Sequence, residues 1–196
     1  MSKGDDTRSH ILRRALDLTS EVGFEGLTIG VLAKLVRMSK SGLYAHFESK
    51  EDLQRQVLEH AADHFVDVVV RKAIAEPRGL PRVRALYQRW LDWTTVELSG
   101  GCPFFAAAIE YDDRPGPVRD KLVAQQHEVL ETVARAARIA VDAGHFHAAL
   151  DAEQFAFEFW AILQAYHHFA RLLQRADARS RADQAFDSLL RNAGAT

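Results

Sequence analysis

The sequence of 196 residues lacks the features that disulfide-rich, membrane and secreted proteins require. Its single cysteine, Cys102, excludes an intrachain disulfide framework and fits a reducing compartment. No apolar run approaches the roughly 20 residues that a membrane helix needs. The first ten residues also lack the apolar segment of a secretory signal. We therefore expect a cytoplasmic protein with no membrane partner.

Motifs for enzymes and metal sites are missing as well. The chain has no GxSxG elbow, no P-loop and no glycine-rich dinucleotide turn. Histidines that lie close together in sequence have neither the four-ligand pattern nor the HExxH spacing of a zinc site; these are His60 and His64, His145 and His147, and His167 and His168. We expect no enzymatic activity, no metal and no cofactor.

The pattern of apolar residues predicts an all-α fold. Almost no stretch alternates apolar and polar residues with the period of two that strands show. Proline and glycine instead separate long segments with helical spacing. After the N-terminal region, the predicted helices span residues 50–74, 81–98, 104–111, 117–143, 151–174 and 178–191.

Residues 28–53 are the most informative segment. Residues 28–36 carry one apolar stripe, at Ile29, Leu32, Ala33 and Val36, behind a threonine able to cap a helix. Ser39 then offers an acceptor for the free N–H groups of a second short helix over residues 40–47. Two short helices joined by a tight turn are typical of a DNA-binding helix-turn-helix.

This segment resembles the N-terminal domain of the TetR/AcrR (tetracycline-repressor-like) family of transcriptional regulators. The resemblance covers roughly the first 60 residues, including the Gly23-Phe24 pair, and its matching residues are Thr28, Ala33, Ser39, Gly42, Leu43, Tyr44, His46, Phe47, Lys50 and Leu53. It implies a helix-turn-helix DNA-binding domain over residues 1–49. It also implies a helical effector-binding and dimerisation domain over residues 50–196.

The resemblance and the helix pattern together assign a DNA-binding surface. Leu43 and Phe47 face inward, so Tyr44 and His46 become candidates for phosphate and base contact; the alternatives are a packed tyrosine and a solvated histidine. Lys50, at the start of the next helix, is a candidate for binding a DNA phosphate; the alternative is a solvated lysine. The full candidate set is Thr28, Arg37, Ser39, Lys40, Ser41, Gly42, Tyr44, His46 and Lys50.

Two positions in this set have special backbone requirements. Family members usually carry glycine in the turn where this chain has Arg37, so either the arginine holds a strained positive φ or the turn does not need one. Gly42 lies inside a helix, where it costs up to about 1 kcal/mol. Close approach of the backbone to DNA would explain Gly42, as would a simple packing requirement.

Charge supports the assignment only weakly. The chain has a net charge of −2, and residues 1–58 hold nine Lys or Arg against eight Asp or Glu. Since a DNA-binding domain is expected to be basic, affinity must come from the placement of individual cations such as Arg8, Arg37, Lys40 and Lys50.

The segment 151–174 is apolar on nearly all faces, so it must be covered on two sides. The family resemblance implies that the last two long helices form a four-helix interface between the subunits of a homodimer. The candidate interface residues are Phe157, Trp160, Gln164 and His168.

Large aromatic residues are frequent in the middle of the chain, where the resemblance places an effector pocket. Such residues more often form a core, but their number is compatible with a largely apolar cavity. The candidate lining residues are Trp90, Trp93, Phe105, His127, Leu130 and Phe159.

These observations predict a ligand-responsive transcriptional regulator, most simply a repressor that binds a palindromic operator in double-stranded DNA as a homodimer. A small, largely apolar effector would release it. A helical dimer that binds a small molecule or DNA without effector-controlled regulation is the alternative.

Overall fold

The computed structural model describes residues 3–195, and their side chains from residue 6 onward. Within these residues the chain is helical and contains no strand, so the all-α prediction is confirmed. None of the helices in this range is long and apolar enough to cross a membrane.

The helices follow one another as the glycine and proline positions predict. Three of them, α4, α5 and α8, contain a π-helical turn, and their bounds are given in segments. The helices are α1 (Lys3–Gly26), α2 (Ile29–Val36), α3 (Lys40–Tyr44), α4 (Lys50–Phe65, Val66–Val70 and Arg71–Ile74), α5 (Leu80–Asp92 and Trp93–Glu97), α6 (Pro103–Tyr111), α7 (Pro117–Asp142), α8 (Ala152–His167 and His168–Leu172) and α9 (Ala178–Asn192).

Side-chain caps fix where the two short helices begin. The Thr28 hydroxyl accepts a hydrogen bond from the Val31 N–H at 3.2 Å, which starts α2. The Ser39 hydroxyl accepts one from the Gly42 N–H at 3.0 Å, which starts α3. Both caps stand where the sequence predicted them.

The chain forms two compact units, and each is described by itself. The first unit runs up to His64 and includes Leu98–Ala124; the second comprises Phe65–Glu97 and the chain from Gln125 onward. In the first unit α1 packs against α6, where the Phe24 and Tyr111 rings meet edge to face with centroids 6.3 Å apart. The second unit's core lies between α5, α8 and α9. There the Tyr87 ring stacks on Phe186 at 3.9 Å.

Helix α8 is covered on only part of its circumference within the second unit. Phe155, Phe159 and Leu163 are buried, whereas Phe157 is 66% exposed. An apolar helix that keeps a large exposed ring agrees with the expectation that a further surface covers it.

Candidate nucleic-acid interface and ligand grooves

Helix α3 presents the predicted contact side chains to solvent. The helix ends at Tyr44, three residues before the predicted end at Phe47. Leu43 inside the helix and Phe47 just after it are buried, as predicted from the spacing, and they anchor this segment on the first unit. Tyr44 points the other way and is 56% exposed. Lys40 and Ser41 are exposed at the start of the helix. A short helix with donor side chains on its open face has the geometry of a helix that enters the major groove.

Arg37 holds the turn between α2 and α3 in the left-handed conformation. Its φ is 55° and its ψ is 42°, which answers the question that the missing glycine raised. The Met38 N–H donates to the Ala33 carbonyl at 3.0 Å, so the end of α2 is hydrogen-bonded despite the strain. A non-glycine residue in this conformation costs about 1–2 kcal/mol. The turn therefore keeps an exposed cation at an energetic cost.

The remaining candidates on this surface have local structural contacts. A Cβ added to Gly42 would lie 3.2 Å from the Ser39 hydroxyl and 3.5 Å from the Met38 methyl, which is tight without being prohibitive. His46 is half-buried, with its ring centroid 6.3 Å from that of Phe47. Contact of these residues with DNA stays a prediction.

Lys50 forms an ion pair within the first unit. Its ammonium group lies 3.2 Å from the Glu25 carboxylate and donates to the Glu25 carbonyl at 3.1 Å. Arg114 reaches the other carboxylate oxygen of Glu25 at 3.2 Å. Sequence reasoning missed this arrangement because Glu25 and Arg114 lie 25 and 64 positions from Lys50 and have no periodic relation to it.

Arg8 is also engaged within the first unit. Its Nε donates to the Gln56 amide oxygen at 3.0 Å, and its guanidinium lies 5.7 Å from the centre of the Phe47 ring. Among the cations expected to contact phosphate, Arg8 and Lys50 thus both have partners inside the protein.

Two of the six predicted effector residues lie on one groove of the second unit. His127 and Leu130 on α7 face Phe157 and Trp160 on α8 across an open groove of about 410 Å³. This groove brings together two predicted effector residues and two predicted dimer residues; its other lining residues are Glu131, Ala134, Glu153 and Ala156.

The other effector candidates are buried. Trp90, Trp93 and Phe159 form an aromatic cluster in the second unit's core, where Trp90 is 6.0 Å from Phe159 and 5.6 Å from Trp160. Trp160 therefore connects this cluster to the groove between α7 and α8. Phe105 is buried and belongs to the first unit.

A second apolar groove of about 330 Å³ lies between α8 and α9. Small residues line much of it, so another helix could approach closely; the lining residues are Ala161, Ile162, Ala165, Tyr166, Phe169, Ala178, Arg181, Ala182 and Ala185. Gln164 and His168, the other two predicted dimer residues, are exposed on α8.

Two of the histidines that are close in sequence serve as helix caps. His145 Nδ1 accepts from the Leu80 N–H at 3.2 Å, at the start of α5, and His147 Nε2 lies 3.1 Å from the Asn192 carbonyl, at the end of α9. The two rings therefore serve different helices. Over the residues that the structure describes, His, Cys, Asp and Glu form no group of three able to hold a metal.

Comparisons with known proteins match both parts of the chain to one family. The model described as "Bacterial regulatory proteins, tetR family" matches residues 11–57, which include α2 and α3. The model described as "Tetracyclin repressor-like, C-terminal domain" matches residues 79–186, which include both grooves.

Individual relatives agree with this result. A TetR transcriptional regulator from Chloroflexus aurantiacus superimposes with a TM-score of 0.86 at 26% identity, over 97% of this chain and 95% of that one. AibR, solved in complex with isovaleryl coenzyme A and operator DNA, has a TM-score of 0.73 at 22% identity, over 91% of this chain and 95% of that one.

A curated relative, the negative transcriptional regulator IcaR of the biofilm operon icaADBC in Staphylococcus epidermidis, is 33% identical over 64 residues, or 33% of this chain. The alignment spans 35% of that relative's length. These relatives are regulators rather than enzymes, as the motif search predicted. The matches to the N-terminal and C-terminal family models together place this chain in the TetR family of bacterial regulatory proteins.

Proposed function

We propose that the protein is a homodimeric transcriptional repressor that binds a palindromic operator and is released by a small, largely apolar effector. The observation that carries this proposal is the exposed face of α3. Tyr44, Lys40 and Ser41 project from a helix that the Ser39 cap and two buried side chains hold in place. IcaR, whose name describes negative regulation, aligns with this chain over 64 residues, which supports repression rather than activation.

The dimer contact in this proposal uses α8 and α9. Gln164 and His168 are exposed on α8, whose residues Ala161 and Ala165 line the apolar groove between these helices. Phe157, also exposed on α8, lines the neighbouring groove between α7 and α8. A two-fold axis through this surface would relate two copies of α3. Spacing them by one DNA turn, about 34–36 Å, would match two operator half-sites.

The effector in this proposal binds in the groove between α7 and α8. Trp160 lines the groove and lies against the Trp90 ring, which also packs on Phe65 with ring centroids 4.8 Å apart. Phe65 belongs to α4, the helix that begins at Lys50. A ligand that moves Trp160 would therefore act on the helix that follows the DNA-binding segment.

The effector must prefer the released state over the operator-bound state, since equal affinity for both would shift nothing. A 100-fold loss of operator affinity requires about 2.7 kcal/mol of coupling. AibR was solved with isovaleryl coenzyme A, and it shares the fold of this chain at 22% identity. A shared fold at this identity does not carry the ligand over, so the proposal specifies the effector by size and polarity alone.

The proposal is tested by fluorescence anisotropy on DNA from upstream of the protein's own gene, titrated with salt. We expect saturable binding that specific DNA competes away and that weakens steeply as salt rises. Tyr44→Ala should weaken operator binding at least tenfold and leave the dimer intact by light scattering, while Tyr44→Phe separates loss of the hydroxyl from loss of the ring. Equal binding by wild type and Tyr44→Ala would remove α3 from the interface.

The alternative is a helical dimer that binds DNA or a small molecule without effector-controlled regulation. The engagement of Arg8 by Gln56 and of Lys50 by Glu25 favours it, because both leave fewer open cations on the first unit. Wild-type binding that is weak and insensitive to sequence, on DNA from many upstream regions, would favour this alternative.

A further inference from the structure

Glu25 lies between two cations that reach it from different parts of the first unit. One carboxylate oxygen is 3.2 Å from Lys50 at the start of α4, and the other is 3.2 Å from Arg114 in the loop between α6 and α7. All three side chains are at least one-third exposed. Solvent thus reaches the cluster, and the ion pairs are of the exposed kind that a competing anion can exchange.

The same pocket contains a buried hydroxyl group. Tyr111 is 7% exposed and lines the pocket together with Glu25, Lys50 and Arg114. Its hydroxyl makes no hydrogen bond of full geometry among the described residues, while the Glu25 carboxylate lies close enough to attract its proton. Burial raises the pKa of Tyr111, and the nearby Glu25 carboxylate raises it further, so the hydroxyl keeps its proton and remains a donor.

We propose that Glu25 keeps a phosphate site closed. In this proposal Lys50 and Arg114 exchange the Glu25 carboxylate for a phosphate oxyanion, to which the Tyr111 hydroxyl donates a hydrogen bond. The donor set suits phosphate because the ammonium, guanidinium and hydroxyl groups all donate to oxyanions, and hydrogen bonds from charged donors to phosphate are strong. The pocket, at about 310 Å³, has room for the larger anion.

Glu25 therefore acts as a competitor that limits the affinity for phosphate. Where the oxyanion belongs to the DNA backbone, the inference rests on the proposed function, and Glu25 lowers operator affinity. Where it belongs to a free phosphate ligand, the same site binds a small molecule without DNA. Both sources share one chemistry, and the experiments below separate them.

The DNA experiment compares Glu25→Gln with wild type by anisotropy. The glutamine keeps the size of the side chain and removes its charge, so we expect operator binding to tighten about 1.5- to 5-fold per site, the range expected for exposed ion pairs. The salt slope should steepen by about one for each phosphate gained. Glu51→Gln is the matched control: it removes the same charge from the same pocket while leaving the Glu25 pairs in place.

A second experiment uses inorganic phosphate and needs no DNA. The unfolding midpoint is measured in phosphate and in chloride at equal ionic strength. Phosphate should stabilise Glu25→Gln more than wild type, and Arg114→Ala combined with Glu25→Gln should abolish that gain. The double variant also reports on folding, because its midpoint in chloride shows whether the unit remains intact.

The two experiments distinguish a DNA phosphate, a free phosphate ligand and the absence of a phosphate site. A gain in DNA affinity for Glu25→Gln but not for Glu51→Gln supports the site with DNA as the source. A gain in phosphate stabilisation alone supports a free phosphate ligand, including when wild type binds no DNA and the proposed function fails. Equal responses of wild type and Glu25→Gln in both experiments would overturn the proposal.

Discussion

Glu110 on α6 accepts two hydrogen bonds from consecutive backbone N–H groups, those of Phe24 at 3.2 Å and Glu25 at 2.9 Å. These groups follow Gly23, where φ is 74° and the helical path of α1 is interrupted. A Cβ at Gly23 would collide with the Glu110 carboxylate. Glycine is thus required here both by the positive φ and by the close approach of the side chain that caps the break.

We expect Glu110→Ala to lower the free energy of unfolding by about 1–3 kcal/mol, because it removes a charged acceptor from two N–H groups. Urea denaturation measures this change. Glu110→Gln keeps one acceptor oxygen and should lose less. Stability equal to wild type would mean that water replaces the carboxylate at no cost.

Arg37 allows strain and charge to be measured separately. Arg37→Gly should stabilise the protein by up to about 1 kcal/mol, because glycine adopts positive φ without strain, although it has more entropy to lose on folding. Arg37→Val should destabilise it, since a β-branched residue tolerates this conformation poorly. Both variants lose the cation, so both should weaken DNA binding alike. DNA affinities that follow the stability order would show that Arg37 acts through the turn and not through its charge.

Local signals predicted much of the fold. Thr28 and Ser39 cap their helices, and Leu43 and Phe47 are buried, because capping and helical periodicity depend on neighbours within about four residues. The Arg37 turn was identified as an open question by its missing glycine, and only the backbone angles answered it.

Contacts between residues that lie far apart in the sequence could not be predicted from it. The pairing of Glu25 with both Lys50 and Arg114 depends on how three segments pack, and no spacing rule encodes it. Aromatic composition likewise identified Trp90 and Phe105 as similar candidates, although they lie in different compact units. Periodicity tells which face of a helix is apolar, but it does not tell which other helix covers that face.

The lowered pKa values of two histidines predict that the protein loses stability in mild acid. Burial lowers the pKa of His60 below its ordinary value of 6.5, and the neighbouring His64 lowers it further. Burial likewise lowers the pKa of His167, with Arg171 and His168 adding to the effect. A lowered pKa means that the unfolded chain binds the proton more tightly. The stability that the neutral rings contribute is therefore complete above pH 6.5 and is lost as pH falls below it.

The unfolding midpoint, followed from about pH 8 to about pH 5, checks this sign. We expect the wild-type midpoint to fall with pH, and His60→Gln with His167→Gln to flatten that part of the profile. His10→Gln is the control, because His10 is exposed. A double variant with the wild-type slope would assign the acid sensitivity to other groups.

The exposed face of α8 predicts how the dimer can be broken. Ala165 lines the groove between α8 and α9 and is itself exposed, so Ala165→Glu places a charge in the proposed interface without disturbing a buried core position. We expect this variant to shift the molar mass measured by light scattering to that of a monomer, because an unpaired charge in an apolar interface costs several kcal/mol. Operator affinity should fall with it, since one copy of α3 occupies only one half-site. Val96→Glu is the matched control: Val96 is 76% exposed on the last turn of α5 and is not among the residues that line that groove. A dimer that survives Ala165→Glu but not Phe157→Glu would move the interface from the groove between α8 and α9 to the one between α7 and α8. Survival of both changes would exclude α8 as the dimer contact.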